Sequence, residues 1–289
     1  MEFREIRLED KARFDQWFFM MQPKISEFTF TNLFVWGKSQ KIQWMEWKEG
    51  ALLVKEEGGR RVFLPPVGFS DCEKAFVAMN EMAASEGIDA IVRIPEWAKR
   101  FLPRGGHVVA EREHFDYVYK SHLLAELKGW RLDGKRAFVR KFHEAYPNWQ
   151  FLPYEKHWLE GCERLLARWG EGKENDRGIQ AEREAIALVL ENAFLLGVAG
   201  GVLVVDGEVV AFSFGEKLNE TTFVTHFEKA DTRFVGCYQM INQQMAIHYI
   251  APSFLFVNRE QDLGIEGLRK AKMSYAPFKF VKKYRYQFL

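Results

Sequence analysis

Phe254-Leu-Phe-Val-Asn-Arg-Glu-Gln-Asp-Leu-Gly-Ile-Glu-Gly-Leu-Arg-Lys-Ala-Lys-Met-Ser-Tyr-Ala-Pro277 is the stretch on which the reading of this chain turns. A hydrophobic run, Phe254 to Val257, leads straight into Asn258, Arg259, Glu260, Gln261 and Asp262. Gly264 follows, then a helical stretch carrying Arg269, Lys270 and Lys272. Open α/β sheets put ligand sites where polar groups crowd the exit of a buried strand. A strand, a site loop and a short helix are expected here; a charged loop with a solvated helix face is the plainer alternative.

Upstream of this stretch the same order of elements is read twice. In the first half, short β-rich runs at Ile42–Trp47, Ala51–Lys55 and Arg61–Leu64 are separated by Gly50 and by Gly58-Gly59. A helix fits Asp71 to Ser85, with Asp71 as N-cap, Ala75, Phe76, Met79 and Met82 on one face, and Gly87 ending it. A strand at Asp89–Ile94, a short helix opened by Pro95 and a strand from Val108 to Tyr119 complete the half.

The second half opens with helices at Tyr154–Trp169 and Gln180–Leu196, the latter stopped by Gly197 and Gly200-Gly201. Three antiparallel strands follow, Val202–Val205, Glu208–Glu216 and Thr222–Phe227, the first two joined by an Asp206-Gly207 turn. Next come a helix over Val235–Tyr249, the strand Phe254–Val257, a helix Gly264–Lys272 stopped by Pro277, and a last strand around Phe278–Tyr284. Each half reads three strands, helix, strand, helix, strand. Two tandem copies of one α/β (α+β) unit are expected, spanning 1–128 and 129–289.

The totals fit two domains. The chain has 289 residues, 47% hydrophobic and 28% charged, enough for sizeable cores and against extensive disorder. A net charge of +1 argues against a surface wholly given to nucleic acid. Local asymmetry exists nonetheless. Arg269 to Arg285 holds seven basic residues and no acidic one, and Arg131 to Lys141 holds five against Asp133 alone. Such stretches suit an anionic partner; a solvated lysine-rich surface is the competing reading. Cys72, Cys162 and Cys237 have no metal-ligand or redox spacing, which fits a reducing compartment. With no signal-like or span-length apolar run, a soluble cytoplasmic protein is expected, with no metal. Eleven Phe or Trp among the first fifty residues are read as core rather than as a stacking surface.

Among groups with chemistry, Thr225-His226-Phe227-Glu228-Lys229 ends the third strand of the hairpin system. Alternation puts His226 and Glu228 on one face, where either can take a proton from an attacking amine. A buried His–Glu bond that only braces the sheet is the alternative. Asn258, Arg259, Glu260 and Asp262 leave the neighbouring strand at the same end and are expected to line the substrate cleft. Glu260 is counted with the catalytic candidates, as is Tyr275, which can donate a proton to a leaving group or simply pack its ring.

The doubled element order resembles the GNAT (acyl-CoA N-acyltransferase) fold. That resemblance implies mixed, mostly antiparallel sheets splayed between their fourth and fifth strands, with donor pyrophosphate held at the helix after the fourth strand. The corresponding loop is Asp231-Thr-Arg-Phe-Val-Gly-Cys-Tyr238, whose Arg233-Phe-Val-Gly236 resembles the usual Arg/Gln-x-x-Gly start. Tyr238 stands where a small residue is usual. Arg233, Gly236, Tyr238, Arg269 and Lys272 are the implied donor-binding residues.

More narrowly, His226-Phe-Glu-Lys-Ala230, Gly236-x-Tyr238, Asn258-Arg-Glu-x-Asp-Leu-Gly264 and Gly267-Leu-Arg-Lys-Ala-Lys-x-Ser-Tyr-x-Pro277 resemble the phosphatidylglycerol lysyltransferase C-terminal domain family. They are similar in particular to its small bacterial relatives of unknown function. Phe30-Thr-Asn-Leu-Phe-x-Trp36 and Phe115-Asp-Tyr-x-Tyr119 extend the likeness to the first half. The chain departs from those relatives at Gln261, usually a second Glu, and at Ala137-Phe138, usually Asn-His. The resemblance implies an acyl- or aminoacyl-transferase with acyl-CoA or aminoacyl-tRNA as co-substrate and no tightly bound cofactor. A catalytically degenerate ligand sensor and an interaction protein using the aromatic first half are the alternatives.

Overall fold

The computed structural model describes residues 2–172 and 175–288, and fourteen strands are found among them. Seven come from the first half: β1 (Arg4–Glu5), β2 (Gln43–Trp47), β3 (Gly50–Glu57), β4 (Arg60–Val67), β5 (Ile88–Pro95), β6 (His107–Ala110) and β7 (Asp116–Lys120). The others are β8 (Gln150–Pro153), β9 (Ala199–Val205), β10 (Glu208–Asn219), β11 (Thr222–Ala230), β12 (Phe256–Asn258), β13 (Lys279–Val281) and β14 (Lys283–Gln287). They form two sheets, β1-β2-β3-β4-β5-β14-β6 and β13-β7-β12-β11-β10-β9-β8. In each, four antiparallel strands run into a parallel pair, β4 with β5 and β11 with β12. The chain is thus two tandem GNAT-like α/β units with mixed, mostly antiparallel sheets.

One strand is exchanged in each direction. The last strand, β14, enters the first sheet between β5 and β6, and β7 enters the second between β12 and β13. One compact unit comprises Met1–Asp116, Gln261–Ile265 and Phe280–Leu289; the other comprises Tyr117–Glu260 and Glu266–Lys279. Relative to a division at residue 128, residues 117–128 pack with the second unit, and 261–265 and 280–288 with the first.

The exchange corrects two expected strands. Val108–Tyr119 is not continuous: β6 and β7 lie in different sheets, separated by a 3-10 turn at Arg112–His114. The break falls between two acidic residues held by ion pairs in the first unit: Glu111 accepts from Arg93 and Arg285, and Asp116 from Lys283. Phe278–Tyr284 likewise divides into β13 and β14 of different sheets. Gly200 and Gly201 do not stop a helix; they lie inside β9. A Cβ on either would fall 2.4 Å from a ring carbon, of Phe214 or of Phe151. The patterning also leaves unannounced β1, β8 and the helices Lys11–Met21, Phe30–Val35, Ser121–Glu126 and Asp133–Ala145.

The aromatic start of the chain is core. Phe14, Trp17, Phe18, Phe28, Phe30 and Trp44 are buried, with Phe14 edge-on to Trp17 and Trp44 at 5.3 and 5.1 Å between centroids. At about 1.5–3 kcal/mol per buried side chain these rings stabilise the unit and are withdrawn from any partner. The helix Cys72–Glu86 runs between the predicted caps: Asp71 accepts from the Lys74 N–H, and Gly87 sits at φ 62°.

Both units repeat one backbone anomaly. Two residues beyond the last parallel pair, Phe63 with Ile91 and Val224 with Asn258, a non-glycine residue takes positive φ: Arg93 (59°) and Glu260 (56°). Such conformations cost about 1–3 kcal/mol and persist where surroundings enforce them. In the first unit the enforcement is ionic. Arg93 donates to Glu111 at 2.8 Å and Glu57 at 2.6 Å, and Arg285 pairs with the same two carboxylates. Burial pushes the Glu57 carboxyl up, but the charges of Arg93, Lys55 and Arg285 outweigh it and bring the pKa down to about 2. Lys283, fully buried, donates to Asp116 and Glu27, each at 2.6 Å. No helix among the described residues is long and apolar enough to cross a membrane.

Candidate functional site

In the second unit, β11 and β12 are paired at Thr222–Phe256, Phe223–Val257 and Val224–Asn258, and part beyond that point. The residues singled out from sequence sit on the two sides of this parting. Across β10 the register shifts: Gly215 faces Thr225 and Phe214 faces Phe227, so His226 is the extra residue of a β-bulge. Simple alternation therefore fails there, and His226 and Glu228 fall into two networks.

The His226 side chain is 2% exposed and lies between two carboxylates, with Nε2 2.9 Å from Glu216 Oε1 and Nδ1 2.8 Å from Glu260 Oε1. Burial pulls the imidazole pKa down, but the hydrogen bonds to Glu216 and Glu260 outweigh it and push the pKa up to about 9. The raised pKa favours the imidazolium, which can donate from both nitrogens across the parting. Glu216 escaped the sequence reading because the bulge that brings it opposite His226 leaves no mark on the pattern.

Glu228 forms the second crossing. Its Oε1 accepts from Arg259 Nη2 at 2.9 Å and its Oε2 from Asn242 Nδ2 at 3.0 Å. The Arg259 guanidinium lies 5.7 Å from the Tyr119 ring and 4.8 Å from the Tyr275 ring. Burial pushes the Tyr275 phenol well up, against the pull of Arg259, so it keeps its proton. Lys272 donates to the Arg259 carbonyl, and Tyr119 donates to the Lys272 carbonyl at 2.8 Å. Lys135, from the helix Asp133–Ala145, lies 4.3 Å from the Tyr275 ring centre; burial and the charge of Arg259 lower its pKa. Asn242, Tyr119 and Lys135 come from elements remote in sequence, and only folding brings them here.

Arg259 Nη1, Asn242 Oδ1 and Ser213 Oγ are buried without a hydrogen-bond partner among the described residues. Ser213 stands opposite Glu228 in the β10–β11 ladder. Glu228 is thus flanked by a donor, an acceptor and a hydroxyl with bonding capacity to offer. Buried polar groups are ordinarily paired, which makes these three the candidate contacts for a polar ligand group.

Asn258 and Asp262 serve the backbone. Asn258 is fully buried and its Oδ1 accepts from the Glu260 N–H at 2.8 Å, while the Tyr117 N–H bonds the Glu260 carbonyl at 3.1 Å. These bonds hold Glu260 at positive φ. Asp262 belongs to the first unit, where it accepts from the Gly264 N–H at 2.9 Å and pairs with Arg112 at 3.1 Å. It braces a turn there.

At the expected pyrophosphate seat the chain packs closely. Gly236 caps the helix Cys237–Met245 at φ 87°, and a Cβ there would fall 2.2 Å from the Phe138 carbonyl oxygen. The helix Asp133–Ala145 therefore lies against this N-terminus, where a phosphate would have to approach. Arg233 is drawn away to Asp231, at 2.6 Å through Nη2. Tyr238 is largely buried, its phenol pushed up to about 12 chiefly by burial. Of the expected donor-binding set, Lys272 reaches the Arg259 backbone, and Arg269 lies half-buried on the helix Glu266–Met273.

The family model described as phosphatidylglycerol lysyltransferase, C-terminal, matches residues 18–287. The chain belongs to that family. A conserved protein of unknown function from Bacteroides thetaiotaomicron is 30% identical, with a TM-score of 0.92 and each chain covered over 100%. Lower identities show the shared fold alone. The C-terminal domain of a protein named as a lysylphosphatidylglycerol synthetase from Agrobacterium fabrum matches at 14% identity and TM-score 0.70, covering 97% of this chain and 92% of that one. L-PGS from Bacillus licheniformis matches at 15% and 0.64, covering 88% and 85%. No curated protein sequence matches the chain.

Proposed function

We propose that this protein is an aminoacyltransferase whose donor is an aminoacyl ester on RNA rather than acyl-CoA, and whose acceptor is an amine or hydroxyl. Membership of the lysyltransferase family supports transfer of an activated acyl group. The observation that carries the choice of donor is the packing of Gly236 against the Phe138 carbonyl, which fills the position a CoA pyrophosphate would need.

The working site is the Glu228–Arg259 crossing. Arg259 Nη1 donates to the ester carbonyl oxygen and stabilises the negative charge that develops there on attack. Glu228 takes the proton from the attacking amine or hydroxyl; the carbonyl carbon bonds the acceptor, and the ribose oxygen leaves and takes up that proton. His226, held between Glu216 and Glu260, fixes the distance between β11 and the loop that follows β12. Catalysis by direct attack needs no covalent enzyme intermediate.

A second reading is favoured by one observation. The His226 imidazolium and the Glu228 ion pair are already satisfied, as they would be in a ligand sensor without turnover. The test is parallel incubation with labelled aminoacyl-tRNA and labelled acetyl-CoA, following ester loss and acceptor labelling. Turnover of the ester alone is expected, falling roughly 10²–10⁴-fold in Glu228→Gln. Turnover of acetyl-CoA overturns the donor assignment. Thermal stabilisation without turnover of either donor establishes the sensor instead.

A further inference from the structure

Of the basic run between Arg131 and Lys141, Lys135 reaches the site described above, while Arg131, Arg140 and Lys141 stand exposed on the helix Asp133–Ala145 and the turn before it. That helix buries Val139 and Phe142 inward. Its outer face, with the turn before it, carries Trp130 at 79% exposure and Phe138 at 41%. A cation attends each ring: the Arg131 guanidinium lies 5.3 Å from the Trp130 centroid and the Lys141 ammonium 5.7 Å from that of Phe138. Arg136 is excluded from this face, because it bonds the Leu127 and Gly129 carbonyls and pairs with Asp133. Lys135 turns the other way, to Tyr275, and its pKa feels the charge of Arg259. One helix thus joins an exposed ridge of rings and cations to the Glu228–Arg259 crossing.

We infer that this ridge docks the single-stranded end of an RNA, with bases stacked on Trp130 and Phe138 and phosphates on Arg131 and Lys141. The inference rests on the donor reading above and extends it from the reacting ester to the strand that carries it. Two aromatic planes each with a neighbouring cation suit unpaired nucleotides, whose flat bases stack on rings while their phosphates seek cations. A double helix keeps its bases stacked inside and offers none to such rings. Lys135 then lies where the strand turns inward toward the cleft.

The test reads binding, so a protein without transferase turnover is judged by the same measurement. Fluorescein-labelled single-stranded RNA ending in CCA and deacylated tRNA are titrated by anisotropy across a series of KCl concentrations. Trp130→Ala/Phe138→Ala is expected to weaken binding about tenfold or more. Arg131→Ala/Lys141→Ala is expected to lower the salt slope by about 1.4, two phosphate contacts at about 0.7 each. All four side chains are at the surface, and matching thermal melts confirm that the variants fold. Unchanged RNA affinity in both variants overturns the inference. So does tighter, equally residue-dependent binding to phosphatidylglycerol vesicles, which would make the ridge a membrane contact. If RNA binding is lost in the variants while the wild type turns over no ester, the ridge stands and the proposed reaction falls.

Discussion

Glu228 and Arg259 meet at 2.9 Å across the opening where β11 and β12 part, and both side chains are nearly closed to solvent. Neither strand offers its neighbour a backbone partner at that level, so side-chain charge joins what the ladder leaves open. Such a pair is costly to desolvate, and its value shows most clearly when one member is removed.

Arg259→Met should therefore lower stability by about 3–5 kcal/mol by leaving Glu228 buried without its cation. Replacing both, Arg259→Met with Glu228→Leu, should recover a substantial part of that loss. Urea titrations of the single and double variants measure it. Strict additivity would show that the two residues do not act as a pair.

The His226 brace should make stability depend on pH in the alkaline range. Its folded pKa of about 9 lies above the ordinary 6.5, so its contribution is complete below about pH 6.5 and fades as pH rises through 9. The difference corresponds to something on the order of 3 kcal/mol. His226→Gln should be less stable at pH 6 and should lack this alkaline decline. Unfolding free energies at pH 6 and 9.5, with the imidazole NMR signal at pH 7.5, check the sign.

Gly236→Ala separates a structural glycine from a phosphate-binding one. The added methyl meets the Phe138 carbonyl at positive φ, so a loss of about 1–3 kcal/mol is expected. Gly134→Ala, in a helix position with nothing within 4 Å of the new Cβ, should instead raise stability by up to about 1 kcal/mol. Thermal midpoints decide. An unchanged midpoint in Gly236→Ala with altered CoA binding would restore the phosphate seat.

In the first unit, Lys283→Met leaves Asp116 and Glu27 without the ammonium that lies 2.6 Å from each. A loss of about 3–5 kcal/mol is expected near pH 7. Adding Asp116→Asn to Lys283→Met should recover part of that loss, and strict additivity of the two changes in urea titrations would show that packing, not charge, makes the contribution.

Much of this was legible along the chain. Asp71 and Gly87 announced a helix by their cap chemistry, and the run Phe254–Val257 into Asn258 announced a strand opening onto polar groups. The site residues on β11 and beyond β12 were legible as types in places: His226, Glu228, Arg259, Glu260 and Tyr275 do gather in the second unit. Their roles were not legible. The bulge at His226 shifts it between Glu216 and Glu260, and neither spacing nor composition records a bulge. Asn242, Ser213 and Tyr119 were missed because an interior polar residue has no periodic signature of its own.

What the sequence alone determined is local: hydrophobic periodicity, turns and caps specify each strand and helix through contacts within a few residues. The doubled order of elements follows from that, and with it the tandem α/β reading. Only the tertiary structure decided that β7 and β14 change sheets, because a strand edge is satisfied by backbone bonds that any extended segment can supply. Only the tertiary structure brought Phe138 against Gly236 and joined Glu228 to Arg259. Those outcomes depend on distances between residues far apart in the chain, which burial and charge pairing set and residue order does not.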